Sequence, residues 1–459
     1  MEALTNFQLF CGVGLATSIL AYSYAVSRPH PLDHIPTVRP SGLLGSYLPA
    51  IKYITNGIDI VQQGFEELVL NDMIRMEYTF GPQMLHDPYH VTIIRTLVTR
   101  NLSALLPGIK DEMIATLDES LDMKPNEWES IPVVDFSQSI TVRMLNRTVV
   151  GLPLCREPDW VDLTLRGTMD VIKEGILLGR VPNFVFALGA KFITTTSSRL
   201  RRGAKHLEPI INERLRCMET YGEGWTNRPS DVLQWFIDEG RERTVPLLTA
   251  RILFFLFGGM ASSAAAVAKV LCFLAANPQC VQPLREEVER AIDEHGWTRE
   301  GIAQMRRVDS FIKETLRFEG TTAYGVQRKA TKDVTLSDGT FLPRGTNVAF
   351  AVYAIEHDHH NYEDPFTFKP FRFVELQDKC GDPSKYQFAS ITHDSLGFGL
   401  GKSACPGRFL ASMTLKVLLA YIVVTYDLKP GKDFPDSRHL AGAILTRPSA
   451  KLLFRRRMD

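Results

Sequence analysis

The chain has no C-x-x-C pair, no internal repeat, no low-complexity tract and no excess of either charge. Its seven cysteines (Cys11, Cys155, Cys217, Cys272, Cys280, Cys380, Cys405) are scattered and odd in number, which argues against a disulfide framework or a zinc ribbon and fits a reducing compartment. The 52 Lys and Arg balance 52 Asp and Glu, so nothing electrostatic draws the chain to nucleic acid. What is present is ordinary globular composition, 45% hydrophobic over 459 residues, enough to build a large core.

Charge is also missing from Phe7 to Val26, 20 residues that would make a helix of about 30 Å, the thickness of a bilayer core. The preceding MEALTN carries an acid and no base, unlike the start of a cleaved signal peptide. Residues 1–27 are therefore read as one transmembrane anchor. Arg28 just after the span predicts a body facing the cytosol. Pro29, Pro31, Pro36 and Pro40 make 28–42 a stiff extended connector, leaving 43–459 as the catalytic domain. A second uncharged run, Ile252 to Ala268, contains Gly258, Gly259, Ser262 and Ser263, and reads as a buried helix of the body.

From about Asp111 to Phe318 apolar residues recur at helical spacing, with breaks at Pro153, Pro182, Pro229 and Asn277-Pro278. After Arg328 the pattern changes: Val334–Leu336 and Thr340–Leu342 flank Ser337-Asp338-Gly339, a hairpin signal. A loop-rich stretch from Glu356 to Leu396 follows, then a glycine-rich turn and an apolar helix from Arg408 to Tyr426. The fold class is mainly α with a small β region.

The sharpest chemical feature is Phe398-Gly399-Leu400-Gly401-Lys402-Ser403-Ala404-Cys405-Pro406-Gly407-Arg408, a thiol at the end of a glycine-rich loop directly before a helix. Glycines let backbone approach a flat ligand, and unpaired helix N–H groups favour a thiolate, a soft metal ligand. A lone cysteine there would more often be structural; the full spacing F-x-x-G-x-x-x-C-x-G, filled by Phe398, Gly401, Cys405 and Gly407, resembles the haem-ligand loop of the cytochrome P450 family. Glu314 and Arg317, one turn apart, and Pro370-Phe371-Arg372-Phe373 resemble that family's glutamate–arginine pair and the arginine segment that joins it. Tyr89-His90, Arg95 and Leu97–Leu102, with Ala275–Pro278, are similar to membrane-bound fungal members.

The resemblance implies a haem-thiolate fold with Cys405 on iron and Glu314, Arg317 and Arg372 bracing the scaffold beneath it. Arg328, Lys402, His90 and Arg95 would contact the haem propionates. Ser262 would line the opposite side as a hydroxyl relay. It also implies a monooxygenase of the endoplasmic reticulum membrane that oxidises an apolar small molecule, a terpenoid or other secondary metabolite, with electrons from NADPH through a reductase.

Three departures stand out. Ala261 and Ser262 occupy the positions where most members carry an acid and a threonine that relay protons, and alanine carries none. Ser403 stands where an arginine or histidine usually meets a propionate, with Lys402 beside it. Around Phe65–Glu66 two family segments join that are normally separated by a few dozen residues bearing the first strands, so some N-terminal strands are expected to be missing. Two other readings fit these departures: a P450-like isomerase, dehydratase or peroxide user, and a truncated paralogue without activity. Glu356-His357-Asp358-His359-His360 invites a metal reading, but adjacent residues cannot converge on one ion, and a polar loop is expected there. Asn101-Leu102-Ser103 and Asn146-Arg147-Thr148 match the glycosylation pattern and are expected to be silent in a cytosol-facing body.

Overall fold

The computed structural model describes residues 76–457 apart from 82–83, 85–86, 122–125, 179–180, 182–189, 191, 331, 337–338, 383, 402–403, 432–436 and 441. The expected anchor at 1–27, the connector at 28–42, the junction at 65–66 and Lys402 lie outside the described residues.

A short helix α1 (Tyr89–Ile93) continues through a π-helical stretch, Ile94–Val98, into α2 (Leu102–Ser120). Strand β1 (Glu129–Pro132) leads to α3 (Val133–Val150), α4 (Pro158–Leu178), α5 (Thr196–Tyr221) and α6 (Val232–Glu239). The long α7 (Val245–Ala276) holds the uncharged run in a single helix. Two of its neighbours approach closely for a simple reason. A Cβ on Gly203 of α5 would stand 2.9 Å from Thr249, and one on Gly259 of α7 would stand 3.0 Å from Leu145 of α3. Only the missing side chains let these helices touch. On α3, Phe136, Ile140 and Met144 recur every fourth residue and are buried, as helical periodicity requires.

Helices α8 (Val281–His295), α9 (Arg299–Gln304) and α10 (Arg306–Phe318) follow the expected break at Asn277-Pro278. The β region is small. Strands β2 (Gly325–Lys329) and β5 (Asn347–Phe350) pair antiparallel around the hairpin β3 (Val334–Thr335) and β4 (Phe341–Leu342), whose register sets Val334 opposite Leu342. Helices α11 (Val352–Glu356) and α12 (Arg372–Cys380) precede the cysteine loop, and α13 (Arg408–Thr425) follows it. Strands β6 (Tyr426–Pro430) and β9 (Lys451–Arg456) form one sheet with β1, in the order β1-β9-β6, while β7 (Arg438–Leu440) and β8 (Ala443–Leu445) pair separately.

Two expectations change. The stretch from Glu356 to Leu396 is not all loop: Arg372 opens a nine-residue helix whose Phe373 and Gln377 are buried one turn apart. Strand β1 gave no alternating pattern because only four residues pair, and Pro132 ends them. Among the described residues, α7 and α13 are long and apolar enough to cross a bilayer, but 61% and 56% of their most apolar windows are buried within the protein. Asn146 is itself buried and bonds Thr164 Oγ1 at 3.1 Å, so its sequon lies in the core.

Candidate active site

An ion cluster fixes one wall. Glu314 and Arg317 face the same way on α10 and form a two-pronged pair, with Arg317 Nε and Nη2 at 2.7 and 2.9 Å from the carboxylate. Arg372, at the start of α12, donates through Nε to both Glu314 oxygens at 3.1 Å. The remaining guanidinium donors go to backbone: Arg317 to the carbonyls of Glu356 and Pro365, and Arg372 to those of Glu363, Asp364 and Thr367. All three side chains are buried, yet every charge is answered, so the cluster clamps the irregular segment 356–370 onto α10.

The cysteine loop is set by backbone geometry. Gly399 and Gly401 have positive φ (74° and 67°), which closes the turn, and the Cys405 N–H donates to the Phe398 carbonyl at 2.8 Å. The Phe398 ring packs on Phe388 with centroids 5.0 Å apart. Gly407 precedes α13, and the N–H groups of Gly407 and Arg408 point at the sulfur. These donors with Arg408 and Arg95 favour thiolate, but burial opposes them and wins, so the thiol is held above its ordinary value. Burial thus opposes the helix end that was expected to favour a thiolate, and a bound cation would act on the same side as the helix end.

Two of the expected cationic residues reach this loop. Arg328 on β2 donates to the Leu400 carbonyl at 2.8 Å, and Arg95 donates to the Ala404 carbonyl at 3.3 Å. Arg95 also lines a cavity of about 440 Å³ with Thr99, Gly401, Ala404 and Arg408. His90 takes a different partner. Its Nδ1 meets Arg251 Nη1 of α7 at 2.9 Å, and Arg251 also pairs with Glu242, which accepts from Tyr89 Oη. Burial, then the Arg251 charge, holds the imidazole down to about 4, so it is neutral and accepts through Nδ1. The structure places His90 in the joint between α1 and α7.

Midway along α7 the burial pattern breaks. Gly258 and Ser262, one turn apart, are exposed while Met260 and Ala264 are buried. Among the described residues, no atom beyond the helix's own backbone lies within 4 Å of where a Cβ on Gly258 would stand, so none of them packs against this face there.

The sequence profile of the family described as Cytochrome P450 matches residues 84–454. The chain belongs to the cytochrome P450 family. It is similar to cytochrome P450 monooxygenase 151 of Postia placenta, 34% identical over 487 aligned positions that cover 97% of each chain. It also resembles cytochrome P450 monooxygenase CYP512U6 of Ganoderma lucidum, 34% identical over 88% of this chain and 81% of the other. A further relative is cytochrome P450 monooxygenase olcJ of Penicillium canescens, 31% identical over 81% and 71%. The chain is thus an enzyme, a P450 monooxygenase, and the family implies a haem cofactor.

The residues present fit that group. Cys405 offers a sulfur with two N–H donors aimed at it, and Gly401, like Gly258, has no described atom within 4 Å of an added Cβ, leaving room beside the loop for a flat ring. Among the described residues no group of three or more His, Cys, Asp and Glu is placed to hold a metal ion. The polar loop expected at Glu356–His360 holds for Asp358–His360, which are exposed, but not for its first two residues. Glu356 and His357 are buried, because Val352 and Glu356 share one face of α11 and the His357 ring stacks on Tyr353 at 4.0 Å. Sequence reasoning missed Glu356 as a member of this P450 site; the four-residue spacing from Val352 was the available signal. Burial pushes its carboxyl up to about 8, against the opposing Arg317 charge and the N–H groups of Leu396 and Gly397.

Proposed function

We propose that this P450 holds haem through Cys405 and oxidises an apolar small molecule, a terpenoid or another fungal secondary metabolite, using electrons passed from NADPH by a partner reductase. The observation that carries the reading is the half-buried Cys405 sulfur, presented by a glycine turn before α13 with two N–H donors aimed at it. With haem bound there, the site would supply dioxygen activation and transfer of one oxygen atom to substrate, the other leaving as water.

The chain's own residues then take distinct parts. Gly407 and Arg408 N–H groups temper the charge on sulfur, while Phe398 and Gly401 shape the turn around it. Arg328 and Arg95, now on carbonyls of the cysteine loop, would turn to the propionates, and Lys402 is proposed to join them. Glu314, Arg317 and Arg372 would act as positioning residues, since their charged groups are taken up by one another and by backbone groups. Ser262 Oγ would pass protons along the open face of α7, where Ala261 offers none. Residues 1–27 would anchor the enzyme to the endoplasmic reticulum with its body in the cytosol. An alignment of 487 positions to a relative exceeds the 459 residues of this chain, so the relative carries residues this chain lacks, in keeping with the missing segment proposed near 65–66.

Membranes carrying the full chain, reduced and treated with carbon monoxide, are expected to show the red-shifted thiolate-haem band. Cys405→Ala is expected to abolish it and Cys272→Ala, a buried α7 thiol, to leave it intact. A Cys405→Ala protein with the band unchanged would overturn the reading. The lack of an acid at Ala261 favours one second reading, a P450 that rearranges or dehydrates its substrate; product formed under isotopically labelled dioxygen without incorporated label would establish it.

A further inference from the structure

The ion cluster on α10 and the cysteine loop belong to different parts of the chain, and Glu356 stands between them. It is the last residue of α11 and only 5% exposed. Its carbonyl accepts from Arg317 Nη1 at 2.7 Å, joining it to the cluster. Its carboxyl faces the N–H groups of Leu396 and Gly397, the two residues that enter the cysteine loop. Oε1 lies 3.9 Å from where a Cβ on Gly397 would stand, so the carboxyl rests against the backbone there.

The path onward is continuous. The Leu396 carbonyl accepts from Gly399 N–H at 2.8 Å, and the Phe398 carbonyl accepts from Cys405 N–H at 2.8 Å. Leu396 is thereby held at its carbonyl by the turn, while its N–H faces the Glu356 carboxyl. Remove the acceptor at 356 and the buried Leu396 loses the partner of its N–H, which a loop relieves by moving toward water.

We propose that Glu356 is a positioning residue for Cys405: its side-chain oxygens hold Leu396 and Gly397, and through them fix the turn that ends at the sulfur against the Glu314–Arg317–Arg372 cluster. The proposal rests on the reading of Cys405 as the iron ligand. It adds a residue that acts through backbone and touches neither iron nor substrate.

Two substitutions separate this role from simple packing. Glu356→Gln keeps an oxygen that accepts the same N–H groups. Glu356→Met keeps the reach and volume but has no comparable acceptor. Amide hydrogen exchange is read on the haem-loaded full chain at Leu396 and Gly397, with Phe388 N–H as a control because Asp309 holds it independently at 2.7 Å. In Glu356→Met, exchange at 396–397 is expected to rise about tenfold or more while Phe388 is unchanged, and the thiolate-haem band is expected to weaken. In Glu356→Gln both are expected to stay as in the parent. If Glu356→Met does not accumulate, Glu356→Ala is read in the same way. Unchanged exchange at 396–397 in the acceptor-free variant, or loss of protection in Glu356→Gln equal to that variant's, overturns the proposal. A parent protein without the thiolate band would instead overturn the reading of Cys405, whereas the exchange comparison would still show whether Glu356 holds the loop.

Discussion

The cysteine side of the molecule and the middle of α7 are built in opposite ways. Around Cys405 nearly every polar group is spoken for: a carboxylate binds two guanidiniums, the guanidiniums bind carbonyls, and loop N–H groups bind carbonyls or Glu356. Around Gly258 and Ser262 the helix is apolar, its side chains are small, and one face is open. The first arrangement fixes the position of one atom; the second leaves space and few directing groups. A buried network of this kind costs much to disturb, because each lost partner strands another charge or dipole. An open apolar face costs little to change and sets what fits. On the proposed reading, the chemistry at sulfur and the fit of substrate would therefore reside in different physical materials.

Breaking the locked side gives the largest effect. Glu314→Ala leaves Arg317 and Arg372 buried without a counter-charge and is expected to cost about 3–5 kcal/mol, measured by denaturant unfolding of the haem-loaded protein. Next comes the joint between α1 and α7. His90 is held at about 4, below its ordinary 6.5, so the unfolded chain takes up the proton first as pH falls. The stability this contributes is complete above about pH 6.5 and is lost between 6.5 and 4; unfolding midpoints across that window should fall, and His90→Gln should flatten the slope. On the open side, Ser262→Ala is expected to slow turnover about tenfold or release peroxide while leaving the thiolate-haem band intact, as read from product and peroxide yields. The smallest effect sharpens the contrast by its sign. Gly258→Ala places a methyl group in open space on a helix and is expected to stabilise the fold by about 0.5–1 kcal/mol, seen as a raised Tm.

Much of this was legible because local rules wrote it. The hairpin at Val334–Leu342 followed from its central Ser337-Asp338-Gly339, and the end of α7 from Asn277-Pro278. The pair Glu314–Arg317 could be placed on one helix face by spacing, and the cysteine loop was marked by its glycines. Glu356 was read as part of a polar loop because its neighbours are His and Asp; burial of an acid depends on what the rest of the chain brings to it. His90 was grouped with Arg95 because they are close in sequence, yet they meet different partners, Arg251 and Ala404. Strand β1 depends on a partner more than 300 residues away, which four residues cannot announce.

By itself the sequence determined the helical periodicities, the breaks, the thiol on its glycine turn and the family to which such a turn belongs, since each depends on residues within a few positions of one another. Only the tertiary structure decided that Arg372 and Glu314 meet, that the Cys405 thiol is more desolvated than assisted, and that Glu356 ties one to the other. Those outcomes are set by burial and by partners distant along the chain, and the strength of a charge or a hydrogen bond depends on the medium that the whole fold provides.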